Sequence, residues 1–290
     1  MIPSSRHHSS FRVLGRHVRI RAHQDELDAL VASNFSAMAW CGAHGDVDLD
    51  YEIVVRAGRY LLSRDGAQIA TSADRGELLY DLEKDLTVEL QRRRQDLFFL
   101  HAAALERSGR VFLLAAESGS GKSTTTWGLL HHGFRYLSDE LSPIDLASMQ
   151  VWPYPHALCL KSRPPHYPLP DKTVDLGRTL HVPVPSLPVA SIEAPLPLGG
   201  ILLVQYSPDR SAPRMQRISA SEAAAHLYVN TLNALAHSNS GLDGVARIAQ
   251  ALPCYAVEAA DLRETCDLIR NTVDPLLCMS NHGAPLAERP

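Results

Sequence analysis

The spacing of apolar positions divides the chain into short strands, a few one-faced helices and one long stretch that fits neither. Residues 11–21 end in alternation, with Val18 and Ile20 facing one way and Arg19 and Arg21 the other, as in a half-buried strand. Leu27, Leu30, Val31 and Phe35 recur at helical spacing behind Asp25 and Glu26, acids that suit a first turn. Tyr51–Val55, Tyr60–Leu62 and Gln68–Ala70 read as strands separated by Ala-Gly and Arg-Asp-Gly turns. Residues 1–72 are therefore expected to form a small α+β region with no evident chemistry of its own. Leu78, Leu79, Leu82, Leu86 and Leu90 form one stripe of a helix over about 75–94. The apolar run Leu97–Leu105 then predicts a buried strand carrying His101, turned at Ser108-Gly109 into a second apolar strand at 111–115.

After that strand the pattern predicts a helix from Lys122 to about His132, stopped by Gly133, and a short strand from Phe134 that ends in Asp139 and Glu140. A right-handed crossover would bring that strand back beside 111–115. Pro143–Leu146 and Gln150–Trp152 read as a hairpin. Nine prolines between 162 and 198 predict a long loop without regular structure. Gly199–Tyr206 and Cys254–Glu258 read as buried strands, Ser219-Ala-Ser-Glu222 as a capping box opening a helix, and Asp261–Ile269 as a last helix. The expected domains are thus 1–72, a main domain over 73–279 and a disordered tail at 280–290.

Composition narrows the function classes. With 290 residues, 45% hydrophobic and 21% charged, the chain can bury a large core. A net charge of −4 and the absence of a basic stripe argue against nucleic acid and anionic membranes as partners. Arg92-Arg93-Arg94 fans around a helix and reads as a solvated face. Five cysteines without a C-x-x-C pair indicate neither a disulfide framework nor a zinc knuckle, and no signal-like or spanning run is present, so a cytoplasmic protein is expected. His226 and His237 lie eleven apart with no carboxylate at ligand spacing, a poor metal pattern.

The chemistry concentrates where strand 111–115 meets the helix at Lys122. Ala116-Glu-Ser-Gly-Ser-Gly-Lys-Ser-Thr124 follows the phosphate-loop pattern G-x-x-x-x-G-K-[ST] except for alanine at the first glycine. Gly119 and Gly121 allow positive φ, so that consecutive amides turn inward on an oligophosphate. Lys122 is placed to reach its β/γ-phosphates, Ser123 to offer a hydroxyl to magnesium, and the helix N-terminus to face the same anion. A Gly/Ser-rich turn by chance is the bland alternative. Against it, strand, loop, Lys-Ser and helix follow one another in the order that phosphate binding requires. Asp139 and Glu140 are expected at the same edge of the sheet, suited to magnesium or proton handling rather than to a merely solvated turn. His101, alone among apolar neighbours, is the usual pattern of a satisfied core histidine. Lys161 and Arg163 are isolated basic residues with no assigned role.

Leu100-His-Ala-Ala, the loop from Ala116, Leu137-Ser-Asp-Glu and Trp152-Pro-Tyr-Pro-His-Ala-Leu-Cys-Leu-Lys161 together resemble the C-terminal catalytic domain of HPr kinase/phosphorylase. They resemble more closely the HPr-kinase-related proteins of bacterial clusters for modified peptides, including lasso peptides. The likeness runs from about 75 to 270 and leaves out the N-terminal region, which counts against HPr itself as substrate. It implies an α/β fold, a P-loop-containing HPr-kinase-like catalytic core with a small α+β N-terminal region. It implies ATP and Mg2+ as cofactors, with Ser118, Gly119, Ser120, Gly121, Lys122 and Thr124 on the phosphates and Ser123 on the metal. Asp139 becomes the base for a substrate hydroxyl, His101 its orienting or charge-pairing neighbour, and Glu140, where the family generally has a second aspartate, a metal ligand. The activity implied is phosphorylation of a serine or threonine on a ribosomally made peptide such as a lasso-peptide precursor, without an efficient reverse reaction. An HPr-type protein serine kinase, a small-molecule kinase, an enzyme of the phosphoenolpyruvate carboxykinase type and a non-catalytic nucleotide-binding module are the alternatives. Self-association is left open. No N-K-x-D guanine motif is present, which disfavours a switch GTPase.

Overall fold

The computed structural model describes residues 8–42, 46–192 and 194–280; of the tail expected to be disordered over 280–290, Ser280 belongs to the last helix and 281–290 lie outside the described residues. The chain opens with β1 (His8–Val13), β2 (Arg16–Ala22), α1 (Asp25–Phe35), β3 (Leu49–Arg56), β4 (Arg59–Arg64) and β5 (Ala67–Ser72), in a sheet of order β1-β2-β3-β4-β5. The single run expected at 11–21 is instead a hairpin. Leu14 and Gly15 both take positive φ and reverse the chain, a turn that the apolar pattern alone does not mark. Only β2 and β3 pair in parallel, and α1 makes the crossover between them. Val18, Ile20, Tyr51 and Ile53 point inward to Leu27, Val31 and Phe35 of α1 and to Leu78, Leu82 and Leu86 of α2 (Arg75–Arg93). On the other face Arg19 and Arg21 share Asp50 across the strands, at 2.6 and 3.2 Å. Asp74 caps α2 by accepting from the Glu77 amide at 2.8 Å.

The second sheet runs β6 (Phe98–Leu100), β7 (Ala102–Arg107), β8 (Arg110–Ala115), β9 (Arg135–Ser138), β10 (Ser142–Asp145), β11 (Gln150–Val151), β15 (Leu196–Tyr206), β16 (Arg214–Arg217) and β17 (Cys254–Ala259). Its order is β6-β10-β11-β15-β8-β7-β9, with β17 on the other edge of β15 and β16 beyond it. β15 is parallel to both β8 and β17, so three strands end at one edge. Between 150 and 196 lies a small sheet, β12-β14-β13, formed by β12 (Leu158–Leu160), β13 (Val174–Asp175) and β14 (Leu180–Val182).

Helices cover both faces of the large sheet. α3 (Lys122–His131) and α6 (Leu262–Ser280) pack one face with Trp127, Leu129, Leu262, Ile269 and Val273. α4 (Ala220–Val229) and α5 (Leu242–Ala251) pack the other with Ala223, Leu227, Val245 and Ile248. Apolar strands such as Val111–Ala115, buried along their length, are the pattern of a sheet covered on both sides.

Four further expectations are corrected. β9 does not return beside β8; it pairs antiparallel with β7, which stands between them. The buried run 97–105 is not one strand, because it breaks at a bend on His101. The proline-dense segment is partly regular: it carries β13, β14, a 3-10 turn at Val184–Ser186 and the start of β15. None of its prolines falls inside β13 or β14; Pro185 sits in the 3-10 turn and Pro197 near the start of β15, so the two short strands can pair. α6 also runs well past the expected end at 269.

α3 approaches α6 through Gly128, where an added Cβ would stand 2.6 Å from Cys266 Sγ and 2.9 Å from Leu262 Cδ1. Gly128→Ala gains up to about 1 kcal/mol of helix propensity but overpacks a contact of a kind that costs about 1–3 kcal/mol. The expected outcome is a lower melting temperature, partly restored by adding Cys266→Ala. A Gly128→Ala protein as stable as the parent would mean that the two helices can separate freely.

Candidate active site

The topology brings three chain segments to one edge of the sheet. Ala102 pairs with Ala115, so the start of β7, and His101 just before it, lies beside the end of β8. Ala104 pairs with Ser138, so the end of β9 lies there too. The loop leaving β8, the bend at His101 and the acids after β9 therefore share a site although β8 and β9 are not neighbours.

The loop is shaped by its glycines. Gly119 and Gly121 take φ of 89° and 87°, and Gly121 is the residue from which α3 starts. A Cβ at Gly121 would come within 3.2 Å of Tyr206 Cβ, so β15 packs against the turn. The Tyr206 amide donates to Ser120 O at 3.0 Å, and the Ser120 amide to Glu117 O at 3.1 Å, holding the loop from both sides. Ala116 keeps a negative φ, so alanine serves where the usual pattern has glycine.

Lys122 and Asp139 are both buried, at 8% and 0% exposure. The Lys122 ammonium donates to the Asp139 carbonyl oxygen and lies 3.5 Å from its Oδ1. Ser123 Oγ donates to Asp139 Oδ2 at 2.7 Å. Asp139 Oδ1 accepts no hydrogen bond and has the Lys122 ammonium at 3.5 Å as its charged neighbour. Glu140, by contrast, is exposed. His101 is half-buried; burial and the Lys122 charge lower its pKa, against the pull of Glu140 and Asp139, so its imidazole is neutral at pH 7.

Three clefts lie in a row here. The middle one, about 230 Å³, is lined by Gly119, Lys122, Ser123, Thr124, His101 and Glu140, with Ser118 and Lys161 at its rim. Lys161 Nζ donates to Ser118 Oγ at 3.2 Å. On one side, sharing Gly119, Gly121 and Thr124, a larger cleft of about 470 Å³ opens onto Tyr206, Arg210 and Asp261. On the other, sharing His101 and Glu140, a groove of about 340 Å³ runs along α2. Eight sequence-predicted positions, Ser118, Gly119, Gly121, Lys122, Ser123, Thr124, His101 and Glu140, thus line one cleft; Asp139 lies buried behind Lys122 and Ser123, and Ser120 supports the loop from within.

Lys161 was noted without a role, and Tyr206, Arg210 and the α2 wall were not singled out beforehand. A solitary lysine or tyrosine at a strand end carries no spacing signal, and their place depends on long-range pairing. Among the described residues no group of three or more His, Cys, Asp or Glu side chains is arranged to hold a metal by itself. A metal here would need the ligand's own oxygens besides Ser123 and Asp139, which is how magnesium is usually held with phosphates. No described helix is long and apolar enough to cross a membrane.

No family model matches the chain, and no curated protein matches it. Among solved structures, it is similar to the Hpr(Ser) kinase/phosphatase from Coxiella burnetii, at 11% identity and a TM-score of 0.29, covering 64% of this chain and 99% of that one. Likeness at that level leaves the assignment of chemistry to the side chains themselves.

Behind Glu140, Glu83 of α2 accepts from Asn34 Nδ2 at 2.5 Å and lies 3.8 Å from His156 Nδ1. Burial pushes its carboxyl from 4.5 up to about 8, although the Asn34 amide pulls the other way. The folded protein therefore keeps a proton that the unfolded chain loses, and stability falls as pH rises from about 4.5 to about 8. Glu83→Gln should flatten that part of a plot of melting temperature against pH. An identical slope in the variant would remove Glu83 as its cause.

Proposed function

We propose that the chain is an ATP-dependent phosphotransferase that passes the γ-phosphoryl group to a serine or threonine hydroxyl of a ribosomally made peptide, such as a lasso-peptide precursor. One observation carries the nucleotide part: the row of three clefts joined through the glycine loop on one side and through His101 and Glu140 on the other. A nucleoside fits the large cleft beside Tyr206, the phosphates the loop, and an acceptor the groove along α2. The peptide acceptor rests on the resemblance in the motifs.

In this reading the loop amides, the α3 N-terminus and Lys122 bind the phosphates, with Lys161 at the rim as a second cation. Phosphoryl transfer needs positioning and charge neutralisation more than covalent chemistry, and a buried lysine with oriented amides supplies both. The Asp139 oxygen that accepts no hydrogen bond fits magnesium, with Ser123 and Asp139 as its protein ligands. Magnesium bound there would neutralise charge on the β- and γ-oxygens. The resemblance alone makes Asp139 the base and Glu140 the metal ligand. The side chains favour the reverse division, because Asp139 is sealed behind Lys122 and Ser123 whereas Glu140 faces both the phosphate cleft and the α2 groove. Glu140 is then the group that takes the acceptor proton, and neutral His101 orients it by a hydrogen bond rather than by charge.

The protein with ATP, magnesium and its precursor peptide should yield a peptide heavier by phosphate. Glu140→Gln should lower transfer roughly 10²- to 10⁴-fold while leaving magnesium–nucleotide affinity unchanged, and Asp139→Asn should weaken that affinity as well. Calorimetry beside a mass-based transfer assay reads both. Loss of affinity in Glu140→Gln but not in Asp139→Asn would restore the division implied by the resemblance. Tight nucleotide binding with no acceptor phosphorylated would leave a non-catalytic nucleotide-binding module.

A further inference from the structure

The groove along α2 differs from the other two clefts in its lining. Tyr80, Lys84, Thr87, Val88 and Gln91 follow one another at helical spacing on the face of α2 that turns away from the N-terminal core. Leu232 forms the opposite wall, and Tyr80, Val88 and Leu232 are 61%, 38% and 44% exposed. A surface stripe with these apolar side chains lies outside the face that holds α2 to its sheet, so folding does not account for it.

Length, position and charge select an occupant. From Tyr80 to Gln91 a helix rises about 16 Å, the span of about five extended residues, which is longer than a small-molecule acceptor needs. The groove ends at His101 and Glu140, so its occupant meets the phosphate cleft at that end. The Leu232 wall is fixed to the same place: the His101 amide donates to Asn230 O at 2.7 Å and the Leu232 amide to Phe99 O at 2.9 Å. Of the charged groups in the lining, Glu140 lies at the inner end, whereas Lys84, its only lysine, is turned over the Tyr80 ring at 5.8 Å.

We propose that this groove seats an extended peptide segment, with apolar side chains against Tyr80, Val88 and Leu232 and a basic side chain facing Glu140 next to the acceptor hydroxyl. It rests on the phosphotransferase reading above and adds the chemistry by which that site chooses its peptide. The N-terminal region thereby gains a function, because α2, which closes its core, is also one wall of the acceptor site.

The test is a positional-scanning library of short peptides with one central serine and a single flanking position fixed in turn as arginine, glutamate, leucine or glycine, phosphorylated with labelled ATP. The expected result is preference for arginine near the serine and for leucine farther out. Val88→Arg, a change at an exposed helical position, should abolish or invert the arginine preference, and Leu232→Ala should raise the peptide KM with kcat and nucleotide affinity unchanged. Phosphorylation with no flanking preference, or a preference that Val88→Arg leaves intact, overturns the groove assignment alone. No phosphorylation of either the library or the precursor peptide overturns the peptide-kinase reading and the groove with it.

Discussion

The contact between the phosphate loop and Asp139 governs the rest of the molecule. Lys122 and Ser123, consecutive residues of α3, both bond one buried aspartate at the end of β9. Burying an ammonium and a carboxylate together costs desolvation that their attraction only partly repays, and removing one partner of such a pair costs about 3–5 kcal/mol because the other charge is left stranded. An apolar core would be the more stable solution, so the pair is better understood as part of a site than as a brace. In the proposed reading it also serves as an exchangeable contact: a phosphate would offer Lys122 the same counter-charge as Asp139, and lysine moving from one to the other would free the carboxylate that lies against the Ser123 hydroxyl.

The surroundings of that contact are set by an irregularity in the sheet. β7 runs antiparallel between β8 and β9, so its beginning, not its end, lies at the edge where β8 and β9 finish. The bend at His101 is set at this edge, and the buried strand continues on either side of it as β6 and β7. A purely parallel arrangement would have placed the loop and the acids side by side with no room for His101 between the two clefts.

The sequence shows local features plainly and long-range ones poorly. The glycine turn, Lys122, Ser123 and the capped helix at Ser219 are visible because each depends on residues within a few positions. The Ser108-Gly109 turn is legible for the same reason. The neighbour of β9 is not, since antiparallel pairing with β7 and parallel pairing with β8 bury the same apolar residues. The strands within the proline-dense segment are hidden by composition: proline density describes the connections, whereas Leu158–Leu160 and Leu180–Val182 pair across twenty residues. Tyr206 and the α2 stripe escape notice because Tyr80 and Val88 resemble ordinary surface residues until Leu232 is placed opposite them.

The N-terminal region is coupled to this chemistry by bonds as well as by proximity. Asn34, at the end of α1, accepts from the Ala157 amide through its backbone oxygen at 2.9 Å and through its side chain at 3.2 Å, and it donates to Glu83. Ala157 leads into β12, whose Cys159 and following Lys161 line the phosphate cleft, so one buried asparagine ties α1, α2 and the cleft wall together. Its carboxylate partner carries a proton at neutral pH, which lets the pair sit in an apolar setting without a second buried charge. In the proposed reading a rigid wall of this kind suits an acceptor groove, because a peptide hydroxyl would have to arrive within hydrogen-bond reach of Glu140, and an ångström of slack in α2 would be lost rate.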